Sequence, residues 1–131
     1  MTTATYRLPR PPSVNNLYYN TGYRGGRQIS PHYKQWLNAA SVLVMMQRIG
    51  QQRVAGPYTL VAVFQRGRGD LGNFEKALSD LLVKMQVIDD DKLAEEIVLR
   101  WGDVEGCEVT VSSATFSPQR KKSVDNIASK A

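Results

Sequence analysis

The chain has 131 residues, 42% of them hydrophobic and 22% charged, which fits a single globular domain with a genuine core and excludes two. One cysteine (Cys107) and one histidine (His32) exclude an intrachain disulfide, a thiolate zinc site and nitrogen-rich transition-metal centres, so any metal must be held by oxygen ligands, which points to Mg²⁺ or Mn²⁺. The net charge of +5 favours a polyanionic partner; no apolar run approaches the roughly 20 residues that span a bilayer, so no membrane role is expected, and without a signal-like N-terminus the chain is expected in the cytoplasm.

Residues 4–8 alternate weakly and predict a short strand ended by Pro9. Pro11-Pro12-Ser13-Val14-Asn15-Asn16 is a run of turn formers, and residues 17–29, with Tyr18, Tyr19, Tyr23, Arg24 and Arg27, read as a basic aromatic loop. Ser30-Pro31 has the form of an N-cap with proline at the first helical position, and the spacing of Tyr33, Trp36, Leu37, Ala40, Leu43 and Val44 predicts a helix over 31–49 closed by Gly50. Residues 58–64 are apolar on both faces and predict a central strand buried on both sides.

Asp70 then opens a second helix over about 71–86, with apolar residues at 71, 74, 78, 81 and 85, and is placed to cap it. Residues 87–93 form an aspartate-rich turn, and 95–101 and 106–115 predict two further strands. The expected fold is therefore α+β, a mixed sheet packed with two main helices, in one domain over residues 1–116. Residues 117–131 are polar and basic with little to bury, and read as a disordered tail.

Charge is distributed unevenly. Residues 1–69 hold no Asp or Glu and nine basic side chains, whereas eight of the twelve acids fall within 70–96. A basic half followed by a tight acidic cluster is the layout of a metal-dependent nuclease. Divalent-cation hydrolysis of a phosphodiester needs carboxylates converging on one point, with a nearby cation to steady the developing charge. Asp70 and the run Asp89-Asp90-Asp91 supply the ligands, and Lys76 the cation. A straight helix over 71–85 is about 22 Å long, so the two acidic groups meet only if the chain doubles back or a second subunit supplies one of them. Each has a plain alternative: Asp70 as a helix cap, the aspartate run as a solvated turn, Lys76 as a solvent-facing lysine.

Three motifs together resemble the RusA family of Holliday junction resolvases. Asp70-Leu71-Gly72-Asn73-Phe74-Glu75-Lys76 matches the family's Asp-Leu-Asp-Asn motif with its lysine three residues on, Asp89-Asp90-Asp91 its second acidic motif, and Pro11-Pro12-Ser13-Val14-Asn15-Asn16 with Tyr18-Tyr19 its N-terminal signature. The resemblance spans about residues 5 to 115. It implies a homodimeric endonuclease that binds four-way DNA junctions and cuts two opposing strands with Mg²⁺ (Mn²⁺ as substitute), and no motif calls for a nucleotide cofactor. Residue by residue it implies Asp70 as the first metal ligand, Asp91 or, with a shift of one, Asp90 as the second-motif ligand, and Lys76 as the catalytic lysine. DNA contacts are expected from Asn15, Asn16, Tyr18, Tyr19, Arg24, Arg27, Arg66, Arg68 and Asn73.

The sequence departs from the family at Gly72, where the second motif aspartate is expected. A glycine there supplies no ligand and weakens the first helical turn by roughly 1 kcal/mol relative to alanine. A variant that recruits another carboxylate, a non-cleaving binder of branched DNA, and an inactivating change all fit that glycine. A generic basic nucleic-acid protein is a third functional reading.

Overall fold

Apolar side chains on every second residue lie on one face of a strand, and the first strand obeys this rule closely. In β1 (Thr3–Leu8) the side chains of Ala4, Tyr6 and Leu8 are buried while Thr3, Thr5 and Arg7 are exposed. The computed structural model describes residues 2–20 and 26–115. In chain order it continues with a 3₁₀ turn over Val14–Asn16, β2 (Tyr18–Asn20), β3 (Arg27–Ile29), α1 (Pro31–Gln47) and β4 (Tyr58–Gln65). A 3₁₀ turn over Leu71–Phe74 then leads into α2 (Glu75–Lys84), and a third over Asp91–Leu93 precedes β5 (Ala94–Gly102) and β6 (Cys107–Ser113). Arg24, Tyr23 and the tail from 117 lie outside the described residues.

Four strands form a mixed sheet in the order β1-β6-β4-β5, with β4 and β5 parallel and the other neighbours antiparallel. Register aligns the apolar residues into rows: Tyr6 pairs with Val109, Val109 with Ala62, and Ala62 with Leu99. Both helices and this face share one core, to which α1 contributes Tyr33, Trp36, Ala40 and Val44, and α2 contributes Ala77, Leu78, Leu81 and Leu82. The expected α+β fold with a mixed sheet and two main helices is what the chain adopts.

Several expectations need correction. β4 is buried on one face only: Tyr58, Leu60, Ala62 and Phe64 are buried, whereas Thr59, Val61 and Val63 are half-buried. The helices' buried residues join the first of these faces, and the other lies among Thr5, Thr110 and Ser112. Residues 17–29, read as a loop, contain the β2–β3 hairpin, whose strands are too short for alternation to register. The helix expected over 31–49 ends at Gln47, although Gly50, at φ 81°, closes the turn as expected. The helix expected over 71–86 begins as a 3₁₀ turn and is α-helical only from Glu75 to Lys84.

The outer edge of β1 is sealed by side chains. The Gln51 amide accepts the Thr5 N–H at 2.7 Å and donates to the Thr5 carbonyl at 2.9 Å; Gln47 does the same for Arg7, at 2.7 Å in both directions. Two amides, one at the last residue of α1 and one four residues beyond it, thus imitate a neighbouring strand and remove an edge that would template association. Replacing both with alanine is expected to lower the unfolding free energy by about 1–2 kcal/mol and to add concentration-dependent association to that of the parent protein. Urea unfolding and sedimentation velocity check the two effects.

Candidate functional site

The site is built by a reversal of the chain after α2. Gln86 adopts φ 59°, the left-handed conformation in which L-residues other than glycine are strained. With it, the N–H of Val87 bonds the Leu82 carbonyl at 2.9 Å and that of Gln86 bonds the Val83 carbonyl at 3.0 Å, the two bonds of a Schellman cap. Arg48, from the end of α1, donates to the Met85 carbonyl. The buried Val87 and Ile88 follow, Ile88 bridging in parallel to Val54. Asp89 is fixed by the Gly56 N–H at 2.9 Å and by an ion pair with Arg53 at 3.2 Å.

Within one copy of the chain this reversal brings the 91–93 turn against α2, and the charge of Asp91 reaches Lys76. The Tyr58 hydroxyl donates a long 3.4 Å hydrogen bond to the Asp91 carbonyl. Burial, then the charges of Asp91, Glu75 and Asp90, push its phenol up to about 12. Lys76 is ion-paired with Asp80 at 3.2 Å, one turn along the helix. The Asp80 hydrogen bond and charge, with a smaller contribution from Asp91, raise the Lys76 ammonium above its ordinary range. Asp90 caps the 91–93 turn by accepting the Lys92 N–H at 3.0 Å, and that bond above all holds its carboxyl below the usual range. Ser79, buried, donates to Glu75 Oε2 at 2.6 Å.

Asp70 lies elsewhere. It precedes the 71–74 turn with an extended backbone, its carbonyl accepts the Asn73 N–H at 2.9 Å, and its carboxylate makes no capping bond. The expected side-chain cap is therefore absent. Asp70 and Asn73 line a groove of about 560 Å³ together with Arg68, Arg10, His32 and the 11–16 segment, including Asn15 and Asn16. Two motifs more than fifty residues apart in sequence thus share one groove. Ser30 ties the 14–16 turn to α1, its hydroxyl donating to the Asn16 carbonyl at 2.7 Å while accepting the Tyr33 N–H at 3.1 Å.

Arginines rest on aromatic rings around these features. Arg27 lies 4.7 Å from the Tyr18 ring centre, Arg66 5.5 Å from that of Trp101, and Arg10 4.9 Å from that of Phe74. Stacking of this kind orients a guanidinium without neutralising it. Tyr18 also packs edge-on against Tyr33, and Tyr19 is exposed. Arg24 cannot be assigned a place, since it falls outside the described residues.

Among the described residues no three His, Cys, Asp or Glu side chains come together as a metal-holding group. The carboxylates present are of the right kind for a hard cation, but the three-donor set implied by the resemblance is not assembled. Gly72 is exposed, its backbone is not left-handed, and a Cβ added there meets nothing within 4 Å, so an aspartate at 72 is accommodated without strain. Sequence reading gave no role to Arg10, Tyr58, Glu75 or Ser79, or to Asp80 as the partner of Lys76. The spacings 75/79 and 76/80 carried that signal; the positions of Arg10 and Tyr58 depend on tertiary packing alone. No protein-family model matches the chain, and a comparison with curated proteins finds no significant relative.

Two outcomes test this geometry. Tyr58 and Tyr33 both have phenols raised to about 12, chiefly by burial. An unfolded tyrosine ionises near pH 10, so the contribution of these neutral phenols is fully present below pH 10 and is lost as pH rises from 10 to about 12. Thermal melts should fall across that window and fall less for Tyr58→Phe, while a Tyr58→Phe variant whose folded form has lost tyrosinate absorbance near pH 10 relative to the parent contradicts the assignment. Separately, Gln86→Gly relieves the left-handed strain and is expected to stabilise by roughly 0.5–1 kcal/mol in chemical denaturation.

Proposed function

We propose that the protein is a structure-specific DNA-binding protein of the Holliday junction resolvase type: a dimer that grips four-way junctions on the scaffold of a Mg²⁺-dependent endonuclease, with cleavage weakened by Gly72. The observation that carries this reading is the shared groove, in which Asn15 and Asn16 meet Arg68, Asp70 and Asn73. Asn15 and Asn16 belong to one, and Asp70 and Asn73 to another, of the three motifs that carry the family resemblance. For the third motif the support is electrostatic: the charge of Asp91 acts on Lys76, which belongs to the same motif as Asp70.

The chain's own residues divide the work by charge. Arg27 and Arg66, stacked on Tyr18 and Trp101, offer oriented cations to backbone phosphates, and Arg68 adds a third at the groove. Asparagine side chains at the groove supply neutral donors to phosphate or sugar oxygens. Lys76, kept protonated by Asp80, stands ready to balance negative charge on a phosphate beside Asp91. A bound Mg²⁺ would polarise the phosphoryl oxygen and acidify an attacking water. With the donor set incomplete, no step is assigned through it.

That same shortfall of donors favours a second reading, a junction binder that does not cut. A synthetic four-way junction separates the two, with the chain as written and Gly72→Asp both measured for binding and for cutting in Mg²⁺ or Mn²⁺. The expected result is tight binding by both forms, slow cutting by the chain as written, and cutting at least about tenfold faster with aspartate at 72. Binding without cutting by either form establishes the binder. Equal affinity for linear duplex and junction sinks both readings. Arg27→Ala and Arg66→Ala should each weaken binding and reduce the slope of log affinity against log salt by about 1.

A further inference from the structure

The two edges of the sheet are treated differently. Glutamine amides seal β1, whereas β5 at the opposite edge pairs only with β4. Among the described residues, no side chain caps the outer backbone of residues 96–101 as Gln47 and Gln51 cap Thr5 and Arg7. β5 is nine residues long, lacks proline, and has glycine only at its end. Proteins commonly blunt such an edge with a bulge, a proline or a cover. Here a register shift at Glu95 interrupts only the start of β5, and among the described residues 96–101 run on in regular register with no strand on their outer side.

The sequence of that edge is complementary to itself. Running Glu95-Glu96-Ile97-Val98-Leu99-Arg100-Trp101 antiparallel to a second copy, with the two-fold axis at Val98, sets Glu96 of each copy opposite Arg100 of the other and Ile97 opposite Leu99. Glu96, Val98 and Arg100 pair in register with Thr59, Val61 and Val63, on the face away from the core. Ile97, Leu99 and Trp101 pair with Leu60, Ala62 and Phe64, on the core face. Opposite charges would therefore meet twice on the open face, while Ile97, 38% exposed, gains an apolar neighbour on the other. Glu96 and Arg100 are both exposed, and neither makes an ion pair among the described residues.

Other registers lose this match. An axis at residue 96 or 100 sets like charges face to face, and an axis at 97 or 99 leaves Glu96 and Arg100 opposite uncharged residues or unpaired with each other. Parallel in-register pairing puts Glu on Glu and Arg on Arg. Only the axis at Val98 satisfies both charges.

We infer that the outer edge of β5 is a docking edge for a second copy of this chain, joined antiparallel about Val98 so that the two four-stranded sheets become one. The pairing is isologous, as a two-fold dimer requires. The inference gives the dimer of the proposed function a surface, and it rests on that reading only for the use of the two-fold axis on DNA.

The test is sedimentation velocity on the full chain over a range of concentrations, with Glu96→Arg, Arg100→Glu and the double exchange. Each single variant sets like charges at both symmetric contacts and is expected to raise the dimer dissociation constant at least about tenfold; the double exchange should restore it to within about threefold. Val98→Cys should oxidise to a covalent dimer across the axis, while Thr110→Cys, in the middle of the sheet, should not. The rival surface is the exposed stripe Val42, Met45, Met46 and Ile49 on and just beyond α1. A dimer indifferent to the charge variants but dissolved by Met46→Asp overturns the inference, as does a parent chain that stays monomeric throughout. A four-way junction titration on the same samples keeps the two readings apart, since an intact dimer with no preference for junctions defeats the DNA reading alone.

Discussion

The turn that follows α2 is the constraint on which the rest of this molecule depends. A second strand can lie parallel to β4 only if the chain first returns to the start of that strand. α2 makes this return: at its entry Phe74 packs against Phe64 at the end of β4, and beyond its exit Ile88 lies beside Val54 and Asp89 beside Gly56, just before β4 starts. Gln86 ends the helix there by adopting a left-handed conformation, and the Schellman bonds close it. Val87 and Ile88 then enter the core, and Asp89 clamps the returning chain to Arg53 and Gly56. Only after these fixed points can Ala94 pair beside Tyr58 and β5 run in register with β4. The acidic run and the open sheet edge are both consequences of one strained residue whose cost the buried neighbours offset.

Electrostatics follow from the same chain reversal. No acid precedes Asp70, so a cation of the first half finds an acid only across the fold: Arg7 pairs with Glu108 at 3.3 Å and Arg53 with Asp89 at 3.2 Å. Arg10, Arg27 and Arg66 lie on aromatic rings instead. A ring holds a guanidinium in place through its quadrupole while leaving the full positive charge to act outward. Of these three arginines, Arg10 also lines the groove, together with Arg68.

Much of this was legible in the sequence, and the boundary of legibility has physical causes. The Ser30-Pro31 start of α1 is dictated locally and matches, down to the Ser30 hydroxyl accepting the Tyr33 N–H. The alternation of β1 and β6 likewise follows from side-chain period alone. The one-sided burial of β4 was not legible, because Val61 and Val63 are apolar whether or not a second layer covers them. Nor was the β2–β3 hairpin, whose three-residue strands offer too little pattern. The way the chain leaves α2 depends on the backbone conformation of a single glutamine, and nothing in the composition of Met85-Gln86-Val87 announces a left-handed residue. The groove joining residues 11–16 to 68–74 depends on packing between two 3₁₀ turns, which no local spacing encodes.

The carboxylates around α2 differ in what they are free to do, and that difference bears on Gly72. Asp80 is committed to Lys76, Glu75 to Ser79, Asp89 to Arg53 and Gly56, and Asp90 to the Lys92 backbone. Each of these bonds holds a local shape, so recruiting any of the four to a ligand would cost an internal partner. Asp70 has no such commitment: among the described residues its carboxylate forms no hydrogen bond or ion pair, and it faces a groove that also holds Arg10 and Arg68. A side chain at 72 would stand two residues further along the same 3₁₀ turn, in open space and equally uncommitted. Uncommitted carboxylates are the ones a cation or a phosphate-bound water can claim without unfolding something else. An aspartate in place of Gly72 would therefore add a free carboxylate while leaving these bonds of Asp80, Glu75, Asp89 and Asp90 intact, so the fold and the groove are indifferent to which residue stands there.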